Sequence, residues 1–267
     1  MSERKTTKGL KLGLLIATTL LNSYVFGQPT VYELEKEFDF NKIAFNVENV
    51  VKVEHYFGLE IPKGFNKAYK KFMRQIPTKE EFDELTKEQS EEEKVYEAFK
   101  IIGNSLETIR GEYKLEELLL TPLKDGKIIN DCDGFCTFYS SGLEKITGKV
   151  IDSTKFKIYG IKNHVFMGYE ENDSTILTWE TIYNKHMTIE EYCKELNISE
   201  EEFKLDDLSS KNMWGLKLGM MGYESDIIGL TFLENYLNEG IKFNEGKSKL
   251  LQESKEVVSE LKRQNTN

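Results

Sequence analysis

The feature that most constrains this chain is a change of hydrophobic period partway along it. Before about residue 148, apolar residues recur at three- and four-residue spacing, as in Val47, Val50 and Val51, then Phe65, Ala68, Tyr69 and Phe72, the pattern of amphipathic helices. From Thr154 the pattern changes. Three segments, Thr154–Tyr159, His164–Tyr169 and Thr175–Tyr183, are rich in aromatic and β-branched residues and have strand length. Glu171-Asn172-Asp173-Ser174 is a turn between the last two, so they read as an antiparallel hairpin. Beyond Thr188 the chain is helical again, with Thr188/Glu191 and Ser199/Glu202 as capping boxes. The expected class is α+β: helices, then an antiparallel sheet, then helices.

The helical half has internal punctuation. Pro62 and Pro77 interrupt it, Thr78 with Glu81 forms a capping box, and the acidic stretch through Lys94 reads as a solvated helix face. A further helix is expected from Glu92 to Ile109. Lys124-Asp125-Gly126-Lys127 is a turn signal. After it, Phe138, Leu143 and Ile146 continue at helical spacing to Gly148, a helix stop. Cys132 therefore falls at or near a helix N-terminus. The last stretch, Asp226 to Arg263, reads as two helices separated near Asn238-Glu239-Gly240. The expected organisation is a leader over 1–27, a helical region over 28–123, a core over 124–187 and a helical region over 188–267.

With 267 residues, 39% of them apolar, 16 Phe, 13 Tyr and only 4 Pro, the chain has enough apolar surface for one compact core. Its net charge is −10. Arg4, Lys5, Lys8 and Lys11 against Glu3 put +3 on the first eleven residues, so the remainder carries −13. Such a body repels phosphate backbones, and no nucleic-acid partner is expected. The basic start leads into an apolar run from Leu12 to about Phe26. That run is short for a transmembrane helix, which needs about 20 residues, and suits a signal-peptide core. Val25 and Gly27 are small enough for the cleavage positions, which would leave Gln28 first. The expectation is export, to the periplasm, cell surface or medium, with membrane anchoring through an uncleaved segment as the other reading.

The hairpin itself brings two chemical groups together. If its turn centres on Asn172, Tyr169 lies near Thr175, and counting outward sets His164 opposite Glu180 within about one residue of register. Opposed residues share a face with Cβ atoms about 5 Å apart. A carboxylate there fixes the histidine tautomer and stabilises the imidazolium. At the start of its helix, Cys132 meets the positive end of the dipole and free N–H groups, which favour a thiolate and are suited to an oxyanion.

Asn130-Asp131-Cys132-Asp133-Gly134-Phe135-Cys136 resembles the helix start Gly-Asp-Cys-x-x-[Phe/Tyr]-[small] of the transglutaminase-like superfamily. Asn163-His164-Val165-Phe166 resembles its His-start strand, in which Ala-Trp usually follows the histidine, and Thr178-Trp179-Glu180-Thr181 resembles its third element, usually Asp-Pro after an aromatic strand. The resemblance covers roughly Lys124 to Tyr183. It departs from the family at Asn130 for Gly, Val165-Phe166 for Ala-Trp and Glu180 for Asp, with no Pro after it. The resemblance implies a papain-like core, a catalytic helix followed by an antiparallel sheet. It implies Cys132 as nucleophile, His164 as base and Glu180 as orienter, with Cys136 at the small-residue position one turn on.

The activity implied is acyl transfer or hydrolysis at an amide bond through a Cys132 thioester, on a peptide or protein substrate and without a cofactor. Hydrolysis is slightly favoured over crosslinking, because the chain reads as an exported acidic protein of modest size. The other function class is a catalytically inactive domain of the same fold that serves as a binding or assembly module. Cys132 and Cys136 also lie one helical turn apart, a spacing open to a disulfide or half of a metal site, although a zinc site needs a second pair. Cys193 reads as a small buried hydrophobe, His55 and His186 as surface residues, and Trp179 and Trp214 as core. Oligomeric state is not readable.

Overall fold

The computed structural model describes residues 37–40, 42–56, 61–118, 123–124, 127–128, 132–161, 164–172, 175–196 and 206–210, with isolated positions at 199, 212–214, 217, 256, 259 and 263. The leader over 1–27, Asn130, Asp131, Asn163, Glu202 and most of the expected C-terminal helices lie outside the described residues. The chain divides into a unit from Phe40 to Ser210 and a second one formed by Met1–Asp39 with Lys211–Asn267. The first unit carries both faces of the sheet and all the candidate site residues. Its elements in chain order are α1 (Val47–Tyr56), α2 (Phe65–Gln75), α3 (Lys79–Leu85), α4 (Glu91–Arg110), α5 (Leu115–Leu118), β1 (Leu123–Lys124), β2 (Lys127–Ile128), α6 (Cys132–Thr147), a short 3-10 turn (Ile151–Ser153), β3 (Phe156–Ile161), β4 (His164–Asn172), β5 (Thr175–Glu180), β6 (Lys185–His186), α7 (Ile189–Leu196) and β7 (Asp206–Leu208). The class is α+β.

The caps are where the sequence puts them. The Thr78 hydroxyl accepts from the Glu81 N–H while the Glu81 carboxylate accepts from the Thr78 N–H, and Ser90 with Glu93 does the same at the start of α4. Thr188 and Glu191 make the same reciprocal pair before α7. Each such cap contributes on the order of 1 kcal/mol. The stop at Gly148 is also present: its φ is 68, and its N–H donates to the Glu144 carbonyl, a left-handed end that glycine adopts without a Cβ clash.

Helix α6 is the centre of this unit. Every residue from Cys132 to Leu143 is buried, so the helix has no solvated face over its first three turns. It packs on α1, α3 and α4 and against β4. Phe138 sets edge-on against Phe65, Tyr69 and Phe72 of α2, at 5.2 Å between centroids for Phe72. Burial of each phenylalanine ring of this group, Phe65, Phe72 and Phe138, contributes about 1.5–3 kcal/mol. Two hydroxyls inside the helix bond back along it: Thr137 donates to the Asp133 carbonyl at 2.7 Å and Ser141 to the Thr137 carbonyl at 3.1 Å.

The sheet has the order β6-β5-β4-β3-β7, and all neighbours are antiparallel. Its two faces are covered differently. On one, Trp179 stacks on Phe99 of α4 and donates from Nε1 to the Tyr139 hydroxyl of α6. On the other, Phe166 stacks on Tyr192 of α7 at 4.6 Å, among Tyr159, Ile161, Met187 and Cys193.

Two strand-level expectations are corrected. The third strand does not run to Tyr183. It stops at Glu180, and a turn over 181–184 leads into β6. The hairpin register is also shifted by two residues. Tyr169 pairs with Leu177 rather than Thr175, because β4 and β5 extend to Asn172↔Thr175 and a bulge intervenes at Glu170/Asn172. One step past the last ladder pair, Met167↔Trp179, Glu180 comes level with Phe166 and diagonal to His164. A shift of two preserves the face, since side chains alternate with period two.

Candidate active site

Three chain segments meet at one end of the sheet. Cys132 is the first residue of α6, His164 the first of β4 and Glu180 the last of β5. Because each is a terminal residue of its element, its side chain is held by regular structure on one side while facing the end of the sheet. The three cysteines are free thiols. Cys132 is 8% exposed and Cys136, one turn deeper, is fully buried.

His164 is the hub. Its Nε2 lies 2.6 Å from Glu180 Oε2, and the Cys132 side chain stands near enough to its ring to favour the charged form. With Nε2 committed to the carboxylate, Nδ1 is the ring nitrogen open to a second partner. The diagonal placement of Glu180 explains why a glutamate serves here. Diagonal neighbours stand about 7–8 Å apart along the backbone, and the extra methylene spans what an aspartate would not. The other carboxylate oxygen, Oε1, accepts from the Ile182 N–H at 2.9 Å. The carboxylate is almost completely buried, with 3% of its side chain exposed, so it stays in place only because its lone pairs are used.

The electrostatics follow from this geometry. Burial by itself would lower the His164 pKa. Interactions with Cys132 and Glu180 outweigh it, and the pKa rises from 6.5 to about 10. The imidazolium is thus the form favoured at neutral pH. Burial pushes the Cys136 thiol well up, and the neighbouring Cys132 and Glu180 add to this. Its sulfur contacts only the Thr181 hydroxyl at 4.0 Å among the hydrogen-bonding contacts described for it.

All three residues singled out by the sequence thus come together. Reading from sequence missed Tyr192, whose ring lies over Phe166 with its centroid 6.2 Å from that of His164. Burial drives its pKa far up, and the nearby Glu180 charge adds to this. The Thr188 capping box locates the helix that carries Tyr192 but not the sheet face it covers. Also missed is the turn over 181–184, which supplies the Ile182 N–H. Cys193 and Trp179 are buried, and His55 and His186 are exposed, while His186 sets edge-on against Tyr96 at 5.6 Å. Among the described residues, no group of three or more His, Cys, Asp or Glu is arranged to hold a metal, and no helix is long and apolar enough to cross a membrane. Compared with family models, curated proteins and solved structures, the chain gives no match.

Proposed function

We propose that this chain is a transglutaminase-like cysteine enzyme that transfers or hydrolyses an acyl group at an amide bond through a thioester on Cys132. The observation that carries the reading is the position of His164, beside Cys132 and hydrogen-bonded to the buried Glu180 carboxylate. A histidine between a thiol and a carboxylate has what nucleophile activation needs: a base in contact with the nucleophile and a third group that orients the base.

The steps follow from the groups present. The Cys132 proton resides on His164 Nδ1, giving a thiolate–imidazolium pair that the Glu180 charge stabilises. The thiolate attacks the amide carbonyl, and free N–H groups at the start of α6 are the available donors to the oxyanion. The C–N bond breaks as His164 gives its proton to the leaving amine. The thioester then reacts with water, whose proton His164 takes, and the acid departs as the C–S bond breaks and Cys132 leaves as the thiolate, restoring the ion pair. A primary amine in place of water yields a crosslink instead. We favour water, and a peptide or protein substrate met outside the cytoplasm, because of the leader-like start and the acidic body. Incubation with a glutamine peptide and a labelled primary amine separates the two outcomes. Release of ammonia without label in the peptide is expected, and label incorporated in proportion to ammonia would overturn the hydrolase preference.

A second reading is favoured by the burial of Cys132 at 8% exposure. It holds that the domain binds or assembles with a partner and performs no chemistry. Thiol reactivity decides between them. A catalytic pair alkylates at Cys132 below neutral pH, whereas an inert scaffold has no use for a thiolate and stays unlabelled until alkaline pH.

A further inference from the structure

The turn between β5 and β6 carries the N–H that holds Glu180, and its own attachment is unusual. Ile182 is fixed at both poles. Its N–H donates to Glu180 Oε1 at 2.9 Å, and its carbonyl accepts from Arg110 Nη1 at 3.4 Å. The Arg110 guanidinium lies over the Phe135 ring of α6, 5.1 Å from its centroid. Two residues on, Asn184 has φ 49, the one positive value at a non-glycine residue among those described. Asparagine is among the few residues that adopt this region readily. Its amide is held on both ends. Oδ1 accepts from the Tyr139 hydroxyl at 3.2 Å, and Nδ2 donates to Asn104 Oδ1 at 3.1 Å. Trp179 Nε1 donates to Tyr139 at 3.2 Å, which leaves that hydroxyl's own proton for Asn184.

The seat for this amide is built into α4. At Gly103 a Cβ would stand 1.7 Å from Asn184 Oδ1, so the side chain fills space that any other residue at 103 would occupy. Both ends of the turn are therefore referenced to helices. Thr181 touches Cys136 of α6 and Asn184 is locked to Gly103 and Asn104 of α4. Helix α6 also carries Cys132. Nucleophile and orienting carboxylate are thus positioned from one pair of packed helices rather than from the free end of a hairpin.

We propose that Asn184 is a positioning residue: it locks the turn over 181–184 onto α4 and so aims the Ile182 N–H at the Glu180 carboxylate that orients His164. The inference rests on reading Cys132, His164 and Glu180 as a catalytic set. Five titratable groups from three elements face the imidazole or its carboxylate: Cys132, Cys136 and Tyr139 of α6, Glu180 of β5 and Tyr192 of α7.

The test is the pH profile of Cys132 alkylation by iodoacetamide in the full chain, with the label located by mass spectrometry. Asn184→Gly removes only the amide, because glycine meets the φ requirement freely. The parent is expected to alkylate at pH 6 at a rate close to its rate at pH 9. Asn184→Gly is expected to lose about tenfold at pH 6, the scale of one lost hydrogen bond, and to match the parent at pH 9. Asn104→Ala, on the exposed side of α4, removes the acceptor for the same amide and is expected to shift the profile in the same direction by less. It keeps the test open should Asn184→Gly not fold. A merely structural role would lower the melting temperature and leave the shape of the profile intact. Parental profiles in both folded variants overturn the inference and spare the catalytic reading. A parent that does not alkylate below neutral pH overturns the catalytic reading, and the inference with it.

Discussion

The first and second turns of α6 carry the same side chain in opposite circumstances. Cys132 opens the helix, keeps some exposure and lies beside His164. Cys136 lies one turn deeper, fully buried, with the Thr181 hydroxyl at 4.0 Å and a pKa raised well above its ordinary value. The thiols differ in nothing covalent. What separates them is one turn of helix, about 5.4 Å, and the groups that the sheet brings to each level. At the level of Cys132 the strand ends present an imidazole and a carboxylate. At the level of Cys136 the chain presents the Thr181 hydroxyl, and burial is the dominant influence on the thiol. A helix start supplies a favourable field, but partners from elsewhere in the chain decide whether a thiol becomes a nucleophile.

The comparison breaks most visibly if the wrong thiol is removed. Cys132→Ala is expected to abolish amide turnover, a loss on the order of a thousandfold or more, and to leave the circular-dichroism spectrum unchanged. Retained ammonia release would transfer the chemistry elsewhere. The next effect belongs to the base. His164→Ala is expected to slow Cys132 labelling at pH 6 by about a hundredfold or more, the usual scale of a general acid–base group. Equal labelling with and without the imidazole would sink the ion pair.

Shortening the orienting group is a finer probe. Glu180→Asp keeps the charge but withdraws it from a diagonal that one methylene spans, so a loss of about tenfold in labelling at pH 6 is expected. A fully active aspartate variant would show that the diagonal register does not matter. The His164 ion pair should also be legible in stability. Its pKa is about 10 when folded against an ordinary 6.5, so the charged form stabilises the fold. That contribution is complete below about pH 6.5 and vanishes as pH rises through about 10. Urea unfolding of the parent and of His164→Ala at pH 6.5 and pH 10 checks the sign: the gap between the two should narrow at the higher pH. The smallest effect sharpens the contrast from the other side. Cys136→Ala is expected to leave turnover unchanged and to cost about 1 kcal/mol of stability, a small core truncation.

Much of this was legible in the chain because it is local. The capping boxes at Thr78 and Thr188 need only residues three apart, and the stop at Gly148 needs only one. The hairpin of β4 and β5 follows from alternation and a turn, and even a register wrong by two residues left His164 and Glu180 on one face, since the face depends only on parity. The strand end at Glu180 was not legible. Thr181, Ile182 and Tyr183 continue a strand-like composition, and they form a turn because Arg110, Asn104 and Gly103 of α4, more than 70 residues earlier, hold it there. Tyr192 was hidden for the same reason.

Composition, period and spacing by themselves determined the α+β class, the helix start at Cys132 and the pairing of an imidazole with a carboxylate on one sheet face. These depend on interactions within a few residues or across a single hairpin, whose geometry is periodic. Only the tertiary structure decided which thiol meets that pair, which oxygen of Glu180 goes to His164 and which to Ile182, and what anchors the turn behind them. Those outcomes depend on how α4, α6 and α7 pack on the sheet, and side-chain packing between distant segments leaves no periodic trace in the sequence.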